Sequence, residues 1–229
     1  MAEESETPVT PSSEPQAKTL AEFFGVDVVD FGPNINERVK SETAHVIIDV
    51  QREFCDPTHE RNRGNKETDR ISGVIADSIA PKFREAGMPT FLIYYTDDIK
   101  NGDADTACGG FHKIKPEDGD ELVAKNTDSA FHSGNFRELL EERGIKNLIV
   151  SGFNANSCVK RTVYSAKEEG INVCILKDGV GNDNCNKLDT LSETFAMMKE
   201  KGIVVANSDT VLGHLKAAGA SKKALPART

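Results

Sequence analysis

The chain has 229 residues, of which 38% are hydrophobic and 28% charged, with a formal net charge of -9. That length suits one good-sized α/β domain with polar ends. An acidic surface disfavours a nucleic-acid backbone or an anionic membrane as partner, and no apolar run reaches spanning length.

Residues 1–17 are rich in Glu, Ser, Thr and Pro. They bury too little apolar surface to offset ordering entropy, so a disordered tail is expected. They also lack the apolar core of a secretory signal. The folded domain is expected over 18–216, and a flexible tail over 217–229.

His45–Val50 reads as the first strand. In 66–86 the apolar residues Ile71, Val74, Ile75, Ile79 and Phe83 fall at helical spacing, with Pro81 expected to kink the helix. Pro89–Tyr95 is the second strand and Leu122–Ala124 a short third. A helix over Asn135–Arg143 precedes the strand Asn147–Val150. A helix over Ser157–Glu169 stops at Gly170, and the strand Val173–Leu176 follows. A helix over Leu188–Lys201, the strand Val204–Ala206 and a helix over Thr210–Lys216 complete the pattern. Strands alternating with helices imply an α/β fold with a mostly parallel sheet covered on both faces.

In such sheets a ligand sits beyond the carboxyl ends of the strands. The first strand runs into Asp49, Gln51 and Phe54, and the third into Lys125. The fourth leads through Ser151–Ser157 to Cys158 at a helix start. A carboxylate can move a proton, and an ammonium and a helix N-terminus favour a thiolate. Backbone N–H groups around the helix start can hold an oxyanion. Singly, each residue is more simply a cap, a solvated lysine or a small buried thiol. Together, at the strand ends of one sheet, they point to nucleophilic catalysis.

The five cysteines, Cys55, Cys108, Cys158, Cys174 and Cys185, are odd in number and form no CxxC pair. No disulfide framework or zinc finger is expected, and free thiols fit a reducing, cytoplasmic setting. Cys174 reads as an inert core residue, and Cys108 and Cys185 as loop residues without a role. Phe54, Tyr94, Tyr95, Phe131 and Phe153 are candidates for a pocket wall or for plain core. Asn126, Asn156, His112, His132 and Arg161 read more simply as locally satisfied polar groups.

The segments IIDVQREF, AKNTDSAF and LIVSGFNANSCVKRTVYSAKEEGINVCILKDGVG resemble, in order and spacing, the opening strand, lysine segment and nucleophile segment of isochorismatase-like cysteine hydrolases. The resemblance covers roughly Ala44 to Leu212. It implies a Rossmann-like three-layer α/β/α fold with about six strands. It implies Asp49 as proton shuttle, Lys125 as the cation that lowers the thiol pKa, and Cys158 as the nucleophile that forms a thioester. It also implies a cis peptide at Phe153–Asn154, oxyanion donors at Asn154 and Cys158, and a homo-oligomer.

Many family members carry G-x-A-T-x-x-C where this chain has Gly152-Phe-Asn-Ala-Asn-Ser-Cys158, so Phe153 and Asn154 reshape that wall. Zinc-dependent relatives carry D-x-H after the second strand. This chain has Thr96-Asp97-Asp98, read as a turn, so no metal or other cofactor is expected. The expected activity is hydrolysis of a small amide or ureido C–N bond. Asn154, Phe153, Gln51, Phe54, Phe131 and Tyr95 are the candidate oxyanion and substrate-binding residues. The alternatives are vinyl-ether hydrolysis of the isochorismatase type, against which Cys158 speaks, and a catalytically silent binding protein.

Overall fold

The computed structural model describes residues 20–25, 35–185 and 189–220. The tail expected over 1–17 lies outside them. In chain order the main elements are α1 (Leu20–Phe24), α2 (Ile35–Ser41), β1 (Thr43–Ile48), α3 (Arg52–Cys55), α4 (Lys66–Val74) and α5 (Ala80–Glu85). Then come β2 (Thr90–Tyr95), β3 (Glu121–Lys125), α6 (Phe136–Glu142), β4 (Asn147–Phe153), α7 (Lys160–Glu168) and β5 (Asn172–Gly181). The last are α8 (Leu191–Glu200), β6 (Val204–Ala206) and α9 (Ser208–Ala220).

The six strands form one parallel sheet in the order β3-β2-β1-β4-β5-β6. Chain direction across the sheet reverses between β1 and β4, and a crevice opens there. Alternating residues of β1 feed two cores: Ile47 joins one face, Val46 and Ile48 the other. The first core packs α1, α4, α5 and α9 against the sheet, and the second packs α6, α7 and α8. This is the expected three-layer α/β/α arrangement.

The helix read over 66–86 is continuous but changes pitch. Asn65 caps α4, its side chain accepting from Glu67 N and Thr68 N. A π-turn over Ile75–Ile79 then leads into α5, with Ala80 N–H donating to Ile75 O. Pro81 has no N–H to donate and crowds the preceding turn, and the wider turn absorbs both effects. Ile71, Ile75, Ile79 and Phe83 still reach the core.

Two strands outrun the expected ends. β4 continues to Phe153, and β5 continues past Leu176 to Gly181. The polar, glycine-containing Lys177-Asp178-Gly179 looked like a strand stop. It is a bulge: β5 advances from Ile175 to Val180 while β4 advances only from Val150 to Gly152. Asp178 there caps α9 by accepting from Ser208 N at 2.9 Å and Ser208 Oγ at 2.6 Å. α9 itself runs to Ala220, beyond the Lys216 expected from the sequence.

His45 is buried inside β1, with its Nε2 3.0 Å from Ser151 Oγ and its ring against Phe83. Burial, helped by the charge of Arg84, lowers its pKa to about 3. The unfolded chain takes up this proton near pH 6.5, but the folded chain does not. Its contribution to stability is therefore full above about pH 6.5 and drains as pH falls towards 3. Between about pH 7 and about pH 4.5 the loss is about 2–3 kcal/mol. His45→Gln keeps a donor for Ser151 and cannot titrate, so its urea midpoint is expected to fall less than the wild type's over that interval.

Candidate active site

Three groups gather at the carboxyl ends of the strands: one just after β1, one closing the edge strand β3 and one in the turn after β4. Asp49 follows β1 in a left-handed conformation, φ 51°, with its N–H donating to Ile93 O. That conformation is one aspartate tolerates, and it swings the carboxylate over the strand end. Lys125 closes β3, opposite Tyr95 of β2. Cys158 lies in a π-turn (Ala155–Val159) between β4 and α7, in which Val159 N–H donates to Asn154 O.

The three groups meet. Lys125 Nζ is 2.7 Å from Asp49 Oδ2 and 3.4 Å from Cys158 Sγ, and it also donates to Thr127 O at 3.3 Å. Lys125 and Asp49 are 0% and 1% exposed, and the thiol is 8% exposed. Gly152 makes room for this convergence. Its φ is 117°, and a Cβ there would lie 2.0 Å from Ile48 O, so only glycine lets β4 run this close to β1.

Lys125 lowers the thiol pKa as expected, but it is not the largest influence. Burial raises the Cys158 thiol, the charge of Asp49 adds to this, Lys125 opposes it, and Asp128 adds again. The thiol is therefore held up rather than lowered, because one ammonium cannot outweigh burial and two nearby carboxylates. Burial also raises Asp49, against the pull of Lys125. Burial works against the Lys125 ammonium, but Asp49 and Cys158 outweigh it and keep it charged.

The peptide Phe153–Asn154 is cis. The Asn154 side chain pairs with Asp183. Its Nδ2 donates to Asp183 Oδ2 at 3.2 Å, and Asp183 N–H donates back to its Oδ1 at 2.6 Å. Arg61 Nε meets the same carboxylate at 2.9 Å, and its Nη1 reaches Glu53 at 3.0 Å. Arg61 also lies over the Phe54 ring, 4.8 Å from its centroid. The loop before Cys158 is thus tied to the ends of β5 and α3.

The other candidates divide. Lys125 Nζ sits 5.0 Å from the Tyr95 ring centroid, and Phe131 shares a core cluster with Cys158. Phe153 and Phe54 pack in the cluster on the opposite face of the sheet. Gln51 spends its amide on backbone: Nε2 donates to Tyr95 O and Ala107 O, and Oε1 accepts from Tyr95 N. It braces β1 against β2. His112 pairs with Asp69, His132 lies 3.4 Å from Ser165 Oγ, and Asn156 binds Asn182 and Asp189. Asp98 accepts from Lys100 N and Asn101 N, which makes the end of β2 a turn. Among the described residues no group of His, Cys, Asp or Glu side chains is arranged to hold a metal ion.

Sequence reasoning passed over Asp128, Asp183 and Arg61, and gave Cys108 no role. Asp183 was hidden because β5 was ended too early. Asp128 stood inside the quoted lysine segment, and its proximity to Cys158 comes only from the turn after β3. Cys108 is half-buried, and burial with the charge of Glu53 pushes its thiol up to about 12.

A carboxylate, an ammonium and a thiol meet at the carboxyl ends of the strands of a six-stranded parallel sheet, in a three-layer α/β/α fold. The isochorismatase domain model matches residues 43–209, and the chain belongs to the isochorismatase family of hydrolases. The secreted isochorismatase effector Isc1 of Verticillium dahliae is 26% identical over 149 residues, 63% of this chain and 75% of that one. N-carbamoylsarcosine amidase of Arthrobacter is 36% identical over 70 residues, 31% of this chain and 26% of that one. In fold, a cysteine hydrolase from Pseudomonas syringae pv. phaseolicola superposes with a TM-score of 0.66 at 16% identity, over 78% of this chain and 94% of that chain.

Asp183→Ala removes one of the two carboxylates that meet Arg61, and with it the acceptor of Asn154 Nδ2 and Cys185 N–H. With Arg61 partly solvated, the expected loss is about 2–3 kcal/mol. It would be read as a lower urea midpoint at an unchanged slope.

Proposed function

We propose that the chain is a metal-independent cysteine hydrolase that cleaves a small amide or ureido C–N bond through a thioester on Cys158. The observation that carries this reading is the contact of Lys125 Nζ with both Asp49 Oδ2 and Cys158 Sγ, at 2.7 and 3.4 Å. The short match to an amidase of the same family adds support. The turn after β2, where zinc-dependent relatives carry a histidine, favours chemistry without a metal. An odd number of cysteines with no CxxC pair favours a reducing compartment.

On this reading Sγ attacks the substrate carbonyl while its proton passes to Asp49. The N–H groups of Asn154 and Cys158 hold the oxyanion. Asp49 hands the proton to the departing nitrogen, and an amine or ammonia leaves. Asp49 then takes a proton from the water that attacks the thioester and returns it to the departing thiolate, which releases a carboxylic acid from an amide or a carbamic acid from a ureido compound. Lys125 keeps its charge throughout and steadies whichever of Asp49 and Cys158 is anionic.

Cys158→Ala and Asp49→Asn are each expected to lower kcat about 1000-fold or more, and Lys125→Ala almost as much. The assay is ammonia release from a panel of small carboxamides and ureido compounds. A covalent adduct on Cys158, trapped by acid quench and mass spectrometry, should accompany turnover. Ammonia release that survives Cys158→Ala would overturn the thioester route. Pyruvate release from isochorismate without dependence on Cys158 would assign the chain to vinyl-ether cleavage instead.

A further inference from the structure

A second carboxylate faces the thiol. Asp128 Oδ1 lies 3.9 Å from Cys158 Sγ, and the residue is exposed. Its turn is fastened at several points. Lys125 Nζ donates to Thr127 O, Thr127 Oγ1 to Ser129 O, and Asn126 N–H to Ser133 Oγ at 3.1 Å. Gly134 closes the turn against Ala124 O, where a Cβ would come within 2.3 Å. Asp128 is thus held over the reacting sulfur by a braced turn.

The cations beside the site are already matched. Lys125 faces Asp49, and Arg61 faces Asp183 and Glu53. Asp128 has no ion-pair partner among the described residues. A substrate therefore meets one uncompensated negative charge about 4 Å from the atom that attacks it. A carboxylate on the substrate near its reacting carbonyl would be repelled by Asp128, and an ammonium there would be attracted.

We propose that Asp128 sets the charge specificity of this site, selecting amides that carry a cationic group next to the reacting carbonyl and rejecting those that carry a carboxylate there. This deepens the hydrolase reading and rests on Cys158 as the reacting atom. At an exposed carboxylate, where water screens the interaction, the discrimination is expected to be about tenfold for each change of unit charge.

The test separates charge selection from turnover. Cys158 is modified with a cationic methanethiosulfonate (trimethylammonium-ethyl) and an anionic one (sulfonato-ethyl), at low and high salt, with rates read on the Cys158 peptide. The cationic-to-anionic rate ratio, normalised to a small free thiol, should favour the cation about tenfold in the wild type. It should fall towards one in Asp128→Asn, invert in Asp128→Lys, and shrink with salt. A ratio that is the same in all three proteins overturns the proposal. In parallel, kcat/KM is compared for glycinamide, acetamide and malonamate, which differ mainly in charge. If neither these nor any compound of the carboxamide and ureido panel is hydrolysed while the reagent ratio still follows residue 128, the amidohydrolase reading fails and the charge selection stands. If amides are hydrolysed with a charge preference unmoved by Asp128→Asn, the selection fails and the hydrolase reading stands.

Discussion

The Lys125 ammonium is buried with 0% exposure, so water cannot carry its charge and the protein must. Asp49 Oδ2 at 2.7 Å, Thr127 O at 3.3 Å and Cys158 Sγ at 3.4 Å share that task. A buried ion pair rarely adds net stability, because desolvation of both groups offsets most of the attraction. It does impose a geometry: three strand ends must converge, or two charges are left bare. Asp49 in a left-handed conformation, glycine at 152 and the fastened turn after β3 all serve that convergence. The chain gives up easy local conformations at these points to hold a carboxylate and an ammonium in a dry crevice.

The sheet order explains why these strands supply the site. β1 and β4 are neighbours across the switch point, so the segments that follow them bring Asp49 and Cys158 to the same ammonium. β3 lies on the far side of β2, and only a side chain as long as lysine reaches back over Tyr95 to join them. The two bracing systems lie to either side. Gln51 locks β1 to β2, and the Asn154–Asp183–Arg61 network locks the loop before Cys158 to the end of β5. These groups act on the thiol through backbone position rather than by contact.

Much of this was legible in the sequence. Apolar runs broken by glycine and turn residues marked all six strands, because a buried parallel strand must be apolar on both faces. Asp49 and Lys125 stood out as polar groups at the ends of apolar runs, and Cys158 as a thiol at a helix start. The misses had local causes. Lys177-Asp178-Gly179 looked like a turn, and only the register with β4 makes it a bulge within β5. Asn154 and Gln51 looked like ligand contacts, but their amides are consumed by partners distant in sequence, which no local pattern reveals. The direction of the Cys158 shift was also hidden. A nearby lysine can be inferred from a motif, whereas the depth of burial and the placing of Asp128 depend on the folded packing.

That direction bears on how such a site would work. A thiol held protonated at rest is a weak nucleophile and a poor target for adventitious oxidants. On the proposed reading the proton does not leave in advance. It leaves as sulfur attacks, and Asp49, itself raised by burial, is the base placed to receive it. Lys125 then matters less as a device for making thiolate than as a fixed positive charge between two groups that exchange one proton. The negative charge moves from Asp49 to sulfur and on to the oxyanion, while the ammonium stays within 3.4 Å of both donor and acceptor. A low-dielectric site with charges already in place has little to reorganise during that transfer. Burial that makes the resting thiol sluggish is, by the same physics, what strengthens the field acting on the transition state.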